Sequence, residues 1–108
     1  MGRLLVVESR DLTEYAAARS LPLLVEELCQ KGHDVTLFLV ENGVIAARRG
    51  AAAGLSFDAL SDTGAHILAD DVSCRARGIR ELAPGVCPSD LDHLADKIAD
   101  GFDNILWY

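Results

Sequence analysis

One cysteine lies in a stretch whose residue types could support nucleophilic sulfur chemistry. Residues 69–79 read Ala-Asp-Asp-Val-Ser-Cys-Arg-Ala-Arg-Gly-Ile. An apolar run at 65–68 precedes them and is typical of a buried strand, and a short segment with helical character follows. A polar turn between a strand and a helix lies at the carboxyl edge of a parallel sheet, where open α/β folds bind their ligands. The pattern makes Cys74 the candidate reactive residue.

The neighbours of Cys74 act on its thiol in opposite directions. Ser73 is predicted to be the N-cap of the following helix, which puts Cys74 at the first helical position, among unpaired amide groups. The helix dipole and the two arginines of the stretch favour the thiolate, which is the reactive form. Asp70 and Asp71 raise the thiol pKa. Residue types leave this balance open, and a free cysteine is also commonly a small buried hydrophobe.

Composition restricts the class of protein. The chain has 108 residues, half of them hydrophobic and a quarter charged, which predicts a single globular domain over residues 1–108. A formal net charge of −7 argues against direct binding of nucleic acid or of an anionic membrane. The first apolar run, 4–7, is too short for a signal peptide or a transmembrane helix. With three cysteines, an odd count, a reduced cytoplasmic setting with free thiols is expected.

Apolar periodicity predicts strands alternating with helices. Strands are predicted at 3–7, 34–40, 65–68 and 104–108, with one short extended piece inside 80–88. Helices are predicted at 14–31, 44–53 and 56–62, and a last helix follows a cap at Ser89 or Asp90. Pro22 should kink the first helix or mark a restart after Ser20. This alternation predicts a single three-layer α/β/α domain with a mostly parallel sheet of about four to five strands.

Several side chains receive structural interpretations. His66 lies in an apolar strand and is interpreted as a satisfied core histidine. Cys87, between Val86 and Pro88, is interpreted as a structural residue, with a second thiol near the site as the alternative. The alanine-rich helix at 44–53 is expected to contact another subunit, since small residues let a second surface approach closely.

Other chemistries lack support in the sequence. There is no Gly-x-Gly-x-x-Gly and no Walker-type loop, so dinucleotide and P-loop sites are not expected. Cys29 and His33 are four residues apart, but no second ligand pair follows them. The polar positions of the last helix share a face that is expected to be solvated: Asp90, His93 and Asp96. No metal and no cofactor is predicted.

Short motifs at the joints between elements carry a resemblance to a known family. In chain order they are Lys-Gly-His-Asp-Val at 31–35, Asn-Gly-Val at 42–44, Thr-Gly-Ala-His-Ile at 63–67, Cys-Arg-Ala-Arg-Gly-Ile at 74–79, Pro-Gly-Val at 84–86 and Phe-Asp-Asn-Ile-Leu at 102–106. Together they span nearly the whole chain. The sequence resembles the DsrE/DsrF-like proteins, small sulfur-relay subunits that include the TusBCD group.

The resemblance implies a sulfurtransferase-like carrier. In that family a cysteine at this place carries sulfur as a persulfide, and the role maps here to Cys74 alone. Ser73, Arg77, Gly78 and Asp71 would support it. Several relatives have a second cysteine three residues earlier, where this chain has Asp71, so the paired-thiol form of the site is absent.

The resemblance also implies partners. Sulfur donor and acceptor proteins are expected, together with assembly into homo-oligomers (trimers or hexamers) or hetero-oligomers. Two alternatives stay open at this point. One is a non-catalytic interaction subunit of a hetero-oligomer, and the other is a small-ligand-binding α/β domain that uses the loops after Val7, Val40 and Leu68.

Overall fold

Five parallel strands form one sheet in the computed structural model, which describes residues 2–14, 20–51 and 54–108. The strands are β1 (Arg3–Glu8), β2 (Asp34–Leu39), β3 (His66–Asp70), β4 (Val86–Ser89) and β5 (Asn104–Trp107). The helices are α1 (Leu21–Gln30), α2 (Gly54–Asp62), α3 (Asp71–Ala76) and α4 (Leu91–Asp100), with a 3₁₀ helix at Glu41–Ala47. The predicted α/β fold class, with its parallel sheet, is confirmed.

The strand order is β4-β3-β2-β1-β5, so the chain adds strands in one direction and then returns. Every pairing is parallel, with Val6 opposite Leu37 in β2 and opposite Leu106 in β5. A parallel sheet is covered on both faces, which is why β1 and β2 read as continuous apolar runs. All these strands end at one edge, so the loops after β1, β2 and β3 converge there.

The two faces of the sheet are packed unequally. One face carries the larger core, in which Val25 of α1 and Phe57 of α2 are fully buried. The opposite face carries a smaller core of sheet residues covered by Leu94 of α4. Side chains alternate between faces along a strand, so Val6 packs in the larger core while Leu5 and Val7 pack in the smaller one.

Within the described residues, the first predicted helix corresponds to α1. It begins at Leu21 with Ser20 as N-cap and Pro22 in its first turn, where a missing amide hydrogen costs little. The predicted break at Ser20–Pro22 thus coincides with the start of α1. The predicted positions 15–19 lie outside the described residues.

The predicted helix at 44–53 is wrong in type and extent. The segment forms the 3₁₀ helix Glu41–Ala47, after which Arg48 turns extended and bridges to Leu82. Two of its alanines, Ala46 and Ala47, pack inside the larger core. They serve the domain's own interior, which removes the stated reason for expecting a subunit contact there. Positions 52–53 lie outside the described residues.

Smaller differences concern α2, His66 and α4. Helix α2 begins at Gly54, two residues before the predicted start. His66 is exposed and lies 3.5 Å from the Asp34 carboxylate, so the core interpretation is wrong: it begins β3 at the amino edge, where core packing ends. Asp90 is the N-cap of α4, on which only Leu94 is buried, whereas Leu91 is 55% exposed.

Two kinds of feature are absent from the described residues. Within those ranges no helix is long and apolar enough to cross a bilayer. Among the same residues, no three His, Cys, Asp or Glu side chains converge so as to hold a metal ion.

Candidate functional site

Helix α3 starts earlier than predicted, at Asp71, with Asp70 as its N-cap. The Asp70 Oδ2 atom accepts hydrogen bonds from the Ser73 backbone amide at 3.0 Å and from the Ser73 hydroxyl at 2.6 Å. The expected cap at Ser73 is therefore wrong, because the carboxylate three residues earlier already binds that amide. Cys74 becomes the fourth helical residue instead of the first.

The end of α3 folds the chain back over Cys74. Gly78 has φ +67°, a conformation that glycine adopts without a steric penalty. The Ile79 amide donates to the Cys74 carbonyl at 2.9 Å and the Gly78 amide donates to the Arg75 carbonyl at 3.2 Å. This is the Schellman pattern, which brings the residue after the glycine against the last helical turn. Ile79 and Cys74 both belong to the larger core, so Gly78 supports the site by shaping it.

Two residues that follow β2 lie against α3, and we call them the clasp: Glu41 and Asn42. The Glu41 backbone amide donates to the Ser73 hydroxyl oxygen at 2.8 Å. Arg77 donates from Nε to Asn42 Oδ1 at 3.0 Å and from Nη1 to the Ser73 carbonyl at 3.1 Å. Ser73 and Arg77, two of the predicted supporting residues, are thereby tied to the same neighbouring segment.

The thiol of Cys74 is buried and held in its neutral form. The side chain is enclosed in the larger core, with Cys74 only 7% exposed. Burial is the largest cause that raises the pKa of the Cys74 thiol above its ordinary value of 9.0, followed by the negative charges of Asp70 and Asp71. Arg77 acts in the opposite direction and lowers that pKa. The effects that favour the protonated thiol therefore outweigh the effect of Arg77, a comparison that residue types alone leave open.

The aspartates differ in their contacts. Besides capping α3, Asp70 is almost wholly buried, and its Oδ1 atom has no hydrogen-bond partner among the described residues. Asp71 Oδ1 is likewise buried without a partner there, while its Oδ2 lies 3.9 Å from Arg75 in an exposed ion pair. Each carboxylate thus has one oxygen without a partner among the described residues, and both raise the pKa of the cysteine.

The other two cysteines differ from Cys74 in how far they are buried. Cys29 is half-buried on α1. Cys87 is exposed, so the burial on which its structural interpretation rested is wrong. It pairs with Leu68, whose side chain lies on the α4 face, whereas Cys74 packs in the core on the other face. Because paired residues of a parallel sheet point to the same side, Cys87 faces away from Cys74.

A separate cavity lies beyond the end of β1. It measures about 210 Å³ and is lined by Arg10, Ser20, Leu21, Leu24 and Tyr108. Cys74 does not line it. Of the three loops named for a small-ligand site, only the one after β1 contributes to this cavity.

The sequence predicts most residues of the candidate site but neither the clasp nor the cap of α3 at Asp70. In the sequence, Asn42 stands out only as part of the Asn-Gly-Val motif at 42–44, and Asp70 only as a negative charge. The available signal was the Asn-Gly turn at the end of a strand neighbouring β3, since the carboxyl ends of adjacent parallel strands meet at one edge.

These features define a class: a small all-parallel α/β domain with a cysteine in the helix that follows β3. A model of the DsrE/DsrF-like family matches residues 3–107. The chain belongs to the DsrE/DsrF-like family. A search of curated proteins finds no match.

Solved structures share the fold at low sequence identity. The crystal structure of the ychN protein from E. coli matches with a TM-score of 0.83 and 22% identity, over 100% of both chains. The BT1422 protein of Bacteroides thetaiotaomicron matches with a TM-score of 0.81 and 14% identity, over 98% of this chain and 94% of that one. MTH1491 of Methanobacterium thermoautotrophicum matches with a TM-score of 0.74 and 20% identity, over 96% and 97%. The latter two are described as proteins of unknown function.

Proposed function

We propose that this protein accepts and passes on persulfide sulfur through Cys74. The observation that carries the proposal is the position of this cysteine in the helix after β3, at the carboxyl edge of the sheet, in a chain of the DsrE/DsrF-like family. Residues at that edge are the ones that α/β folds use for chemistry. Arg77, the cation that lowers the thiol pKa, is the group that would stabilise a thiolate or a persulfide anion.

The transfer needs two displacement steps. The Cys74 thiolate attacks the terminal sulfur of a donor persulfide, a new S–S bond forms, and the donor leaves as a thiolate. An acceptor thiolate then attacks the terminal sulfur on Cys74, and the Cys74 thiolate leaves. No oxidant or reductant is consumed, because each step exchanges one S–S bond for another. Donor and acceptor are thiol-bearing proteins or small molecules, and we expect the reactions to take place in the cytoplasm.

Whole-protein mass spectrometry after loading with a persulfide donor tests this function. We expect a gain of about 32 Da, one sulfur atom in the persulfide state, that disappears in Cys74→Ser. Cys29→Ser and Cys87→Ser serve as matched controls and should keep the gain. Cys87 is the stringent control because its thiol is exposed. A gain that persists in Cys74→Ser would overturn the proposal.

A second candidate function is that of a non-catalytic subunit in a larger assembly. The burial of Cys74 and its raised pKa favour this alternative, because a protonated thiol is a poor nucleophile. Failure of Cys74 to accept sulfur from any donor, together with stable capture of a second family member, would support it.

A further inference from the structure

Three exposed arginines lie without a carboxylate partner, and we call them the arginine cluster: Arg48, Arg77 and Arg80. None of them forms an ion pair with a carboxylate of the residues that the structure describes. The chain has 17 Asp and Glu residues against 10 Lys and Arg residues, so acids are in excess over the cations they could pair with. Unpaired arginines in so acidic a chain leave positive charge available to a group from outside it.

Two neighbouring segments bring the arginine cluster together. Arg48 forms an antiparallel bridge with Leu82, two residues after Arg80. At the other end of the same stretch, Arg77 donates from Nε to Asn42 Oδ1 at 3.0 Å, a bond to a neutral side chain. The segment that follows α3 therefore runs along the segment that follows β2, and the cluster lies where the two meet.

The carboxylates of these two segments compensate little of this charge. Glu81 pairs with Arg49 at 3.7 Å. Asp71 pairs with Arg75 at 3.9 Å. Glu41 adds one exposed carboxylate, against the three charges of the cluster. The surface is therefore locally positive in a chain whose formal net charge is −7.

The arginine cluster adjoins the helix that carries Cys74. Arg77 is the C-cap of α3, and the Ile79 amide, next to Arg80, donates to the Cys74 carbonyl at 2.9 Å. On the same helix, Val72 is 56% exposed. Arginines beside an exposed apolar side chain are typical of surfaces that bind other proteins.

We propose that the arginine cluster docks an acidic region of the protein that exchanges sulfur with Cys74. The inference rests on the proposed function, because docking there delivers the partner's thiol to this cysteine. Complementary charge speeds the encounter of two proteins and orients them. A nucleic acid fits less well, because its charge is continuous along the strand and the chain as a whole is acidic.

The test uses a peptide in place of the partner protein. Its single cysteine is flanked by glutamates and held as a mixed disulfide with 2-thiopyridine, so that release of thiopyridone reports attack by the Cys74 thiolate. Cys29→Ser and Cys87→Ser remove the other thiols of the protein. The same peptide with glutamines in place of the glutamates is the neutral reference. The ratio of the two rates cancels the intrinsic reactivity of the thiol and reports charge preference alone.

The parent protein should prefer the acidic peptide about tenfold at low salt, and the preference should fall as salt screens the exposed charges. Arg48→Glu combined with Arg80→Glu should abolish it, and a lysine version of the peptide should react faster with this variant than with the parent. Arg77 stays unchanged because its charge acts on the thiol itself. Melting temperatures are recorded alongside, and Arg48→Gln with Arg80→Gln repeats the test without introducing acids.

The matched control makes the same change in net charge elsewhere: Lys31→Glu combined with Lys97→Glu. Lys31 is the C-cap of α1 and Lys97 lies in the last turn of α4, where the chain enters β2 and β5 at the amino edge of the sheet. This variant should keep the preference for the acidic peptide. A parent protein without that preference, or equal loss in the control, would overturn the docking surface.

Two further measurements separate the remaining outcomes. Single-stranded RNA that binds the parent and not the Arg48→Glu, Arg80→Glu variant, with no preference for the acidic peptide, would assign the cluster to nucleic acid and overturn the proposal. The exchange with the peptide needs no persulfide. Sulfur loading of Cys74 without charge preference would therefore overturn the docking surface alone, and charge preference without sulfur loading would overturn the proposed function alone.

Discussion

At the scale of single residues, two adjacent aspartates have different functions. Asp70 caps α3 through its bonds to Ser73, so its loss would remove about 1 kcal/mol of capping energy and release the start of the helix. Asp71 forms an exposed ion pair with Arg75, and such pairs contribute about 0–1 kcal/mol. Both carboxylates raise the pKa of Cys74. Asp71 therefore acts on the thiol with little effect on stability.

Asp71→Asn should make Cys74 more reactive in an equally stable protein. Removing a negative charge that raises the thiol pKa lowers that pKa, so the curve of alkylation rate against pH moves to lower pH. Because Asp71 is partly exposed and water screens the interaction, the shift should be small. Iodoacetamide rates between neutral and alkaline pH, measured with a melting curve, check this.

Adding Cys74→Ser to the Asp71→Asn protein should abolish the effect of Asp71→Asn on the alkylation rate. Asp70→Ala provides the comparison. It should lower the melting temperature, whereas Asp71→Asn should leave the melting temperature unchanged. A slower thiol together with a lower melting temperature in Asp71→Asn would show that Asp71, contrary to the structure, is needed for the helix.

At this scale the sequence predicts Cys74 as the candidate cysteine but not the protonation state of its thiol. The motif and its place after an apolar strand were sufficient to select Cys74. The direction of its pKa depends on burial and on which aspartate caps the helix, and both follow from three-dimensional packing. Ile79 returns to the core that contains Cys74 only because Gly78 reverses the chain, which residue types alone do not reveal.

At the scale of elements, the turn after β2 is fixed by a close backbone approach. A Cβ atom added to Gly43 would lie 2.2 Å from the Glu8 carbonyl oxygen at the end of β1. The same carbonyl accepts a hydrogen bond from the Val40 amide at 3.0 Å. Glycine at position 43 therefore lets the clasp pass directly over the end of β1. This contact also explains why the predicted helix at 44–53 failed: alanine content favours a helix, but the tight entry and the bridge at Arg48 end it early.

Gly43→Ala should lower the free energy of unfolding by about 1–3 kcal/mol, the usual cost of overpacking a close contact. Urea denaturation measures it. Gly2→Ala is a suitable control because the nearest atom to its added Cβ is a carboxylate oxygen of Asp103 at 3.0 Å, the end of a side chain that can move. Its expected cost is within about 0.5 kcal/mol. Equal stability of Gly43→Ala and the parent would contradict the close approach.

At the scale of the whole molecule, the α4 face of the sheet is incompletely covered. Trp107 is 64% exposed and Ile105 is 41% exposed, and both pair with β1 residues whose side chains lie in the smaller core. On α4, Leu91 and Ile98 are also exposed. Exposed apolar clusters of this kind mark interaction sites. We therefore expect subunit contacts on the α4 face of the sheet, and not on the alanine-rich segment at 44–53 that the sequence suggests.

We expect the chain to associate through this face, and Trp107→Lys should weaken association at least about tenfold, since a buried charge without a partner is costly. Sedimentation velocity over a range of concentrations measures the effect. Leu23→Lys is the matched control, because Leu23 is 66% exposed on α1, across the sheet from α4. A parent protein that stays monomeric at high concentration and recruits no partner would contradict the expectation, as would equal weakening by both substitutions.

The last strand pairs with the first, Leu4 opposite Asn104 and Val7 opposite Trp107. During synthesis, the segments that form β1 to β4 leave the ribosome before β5 does. Until β5 arrives, one edge of β1 presents unpaired amide and carbonyl groups, a template for strands of other nascent chains. Neighbouring ribosomes on one messenger would bring such edges close together. The interval before β5 pairs with β1 is therefore the time at which this small domain is most exposed to misassembly with other copies of the same chain.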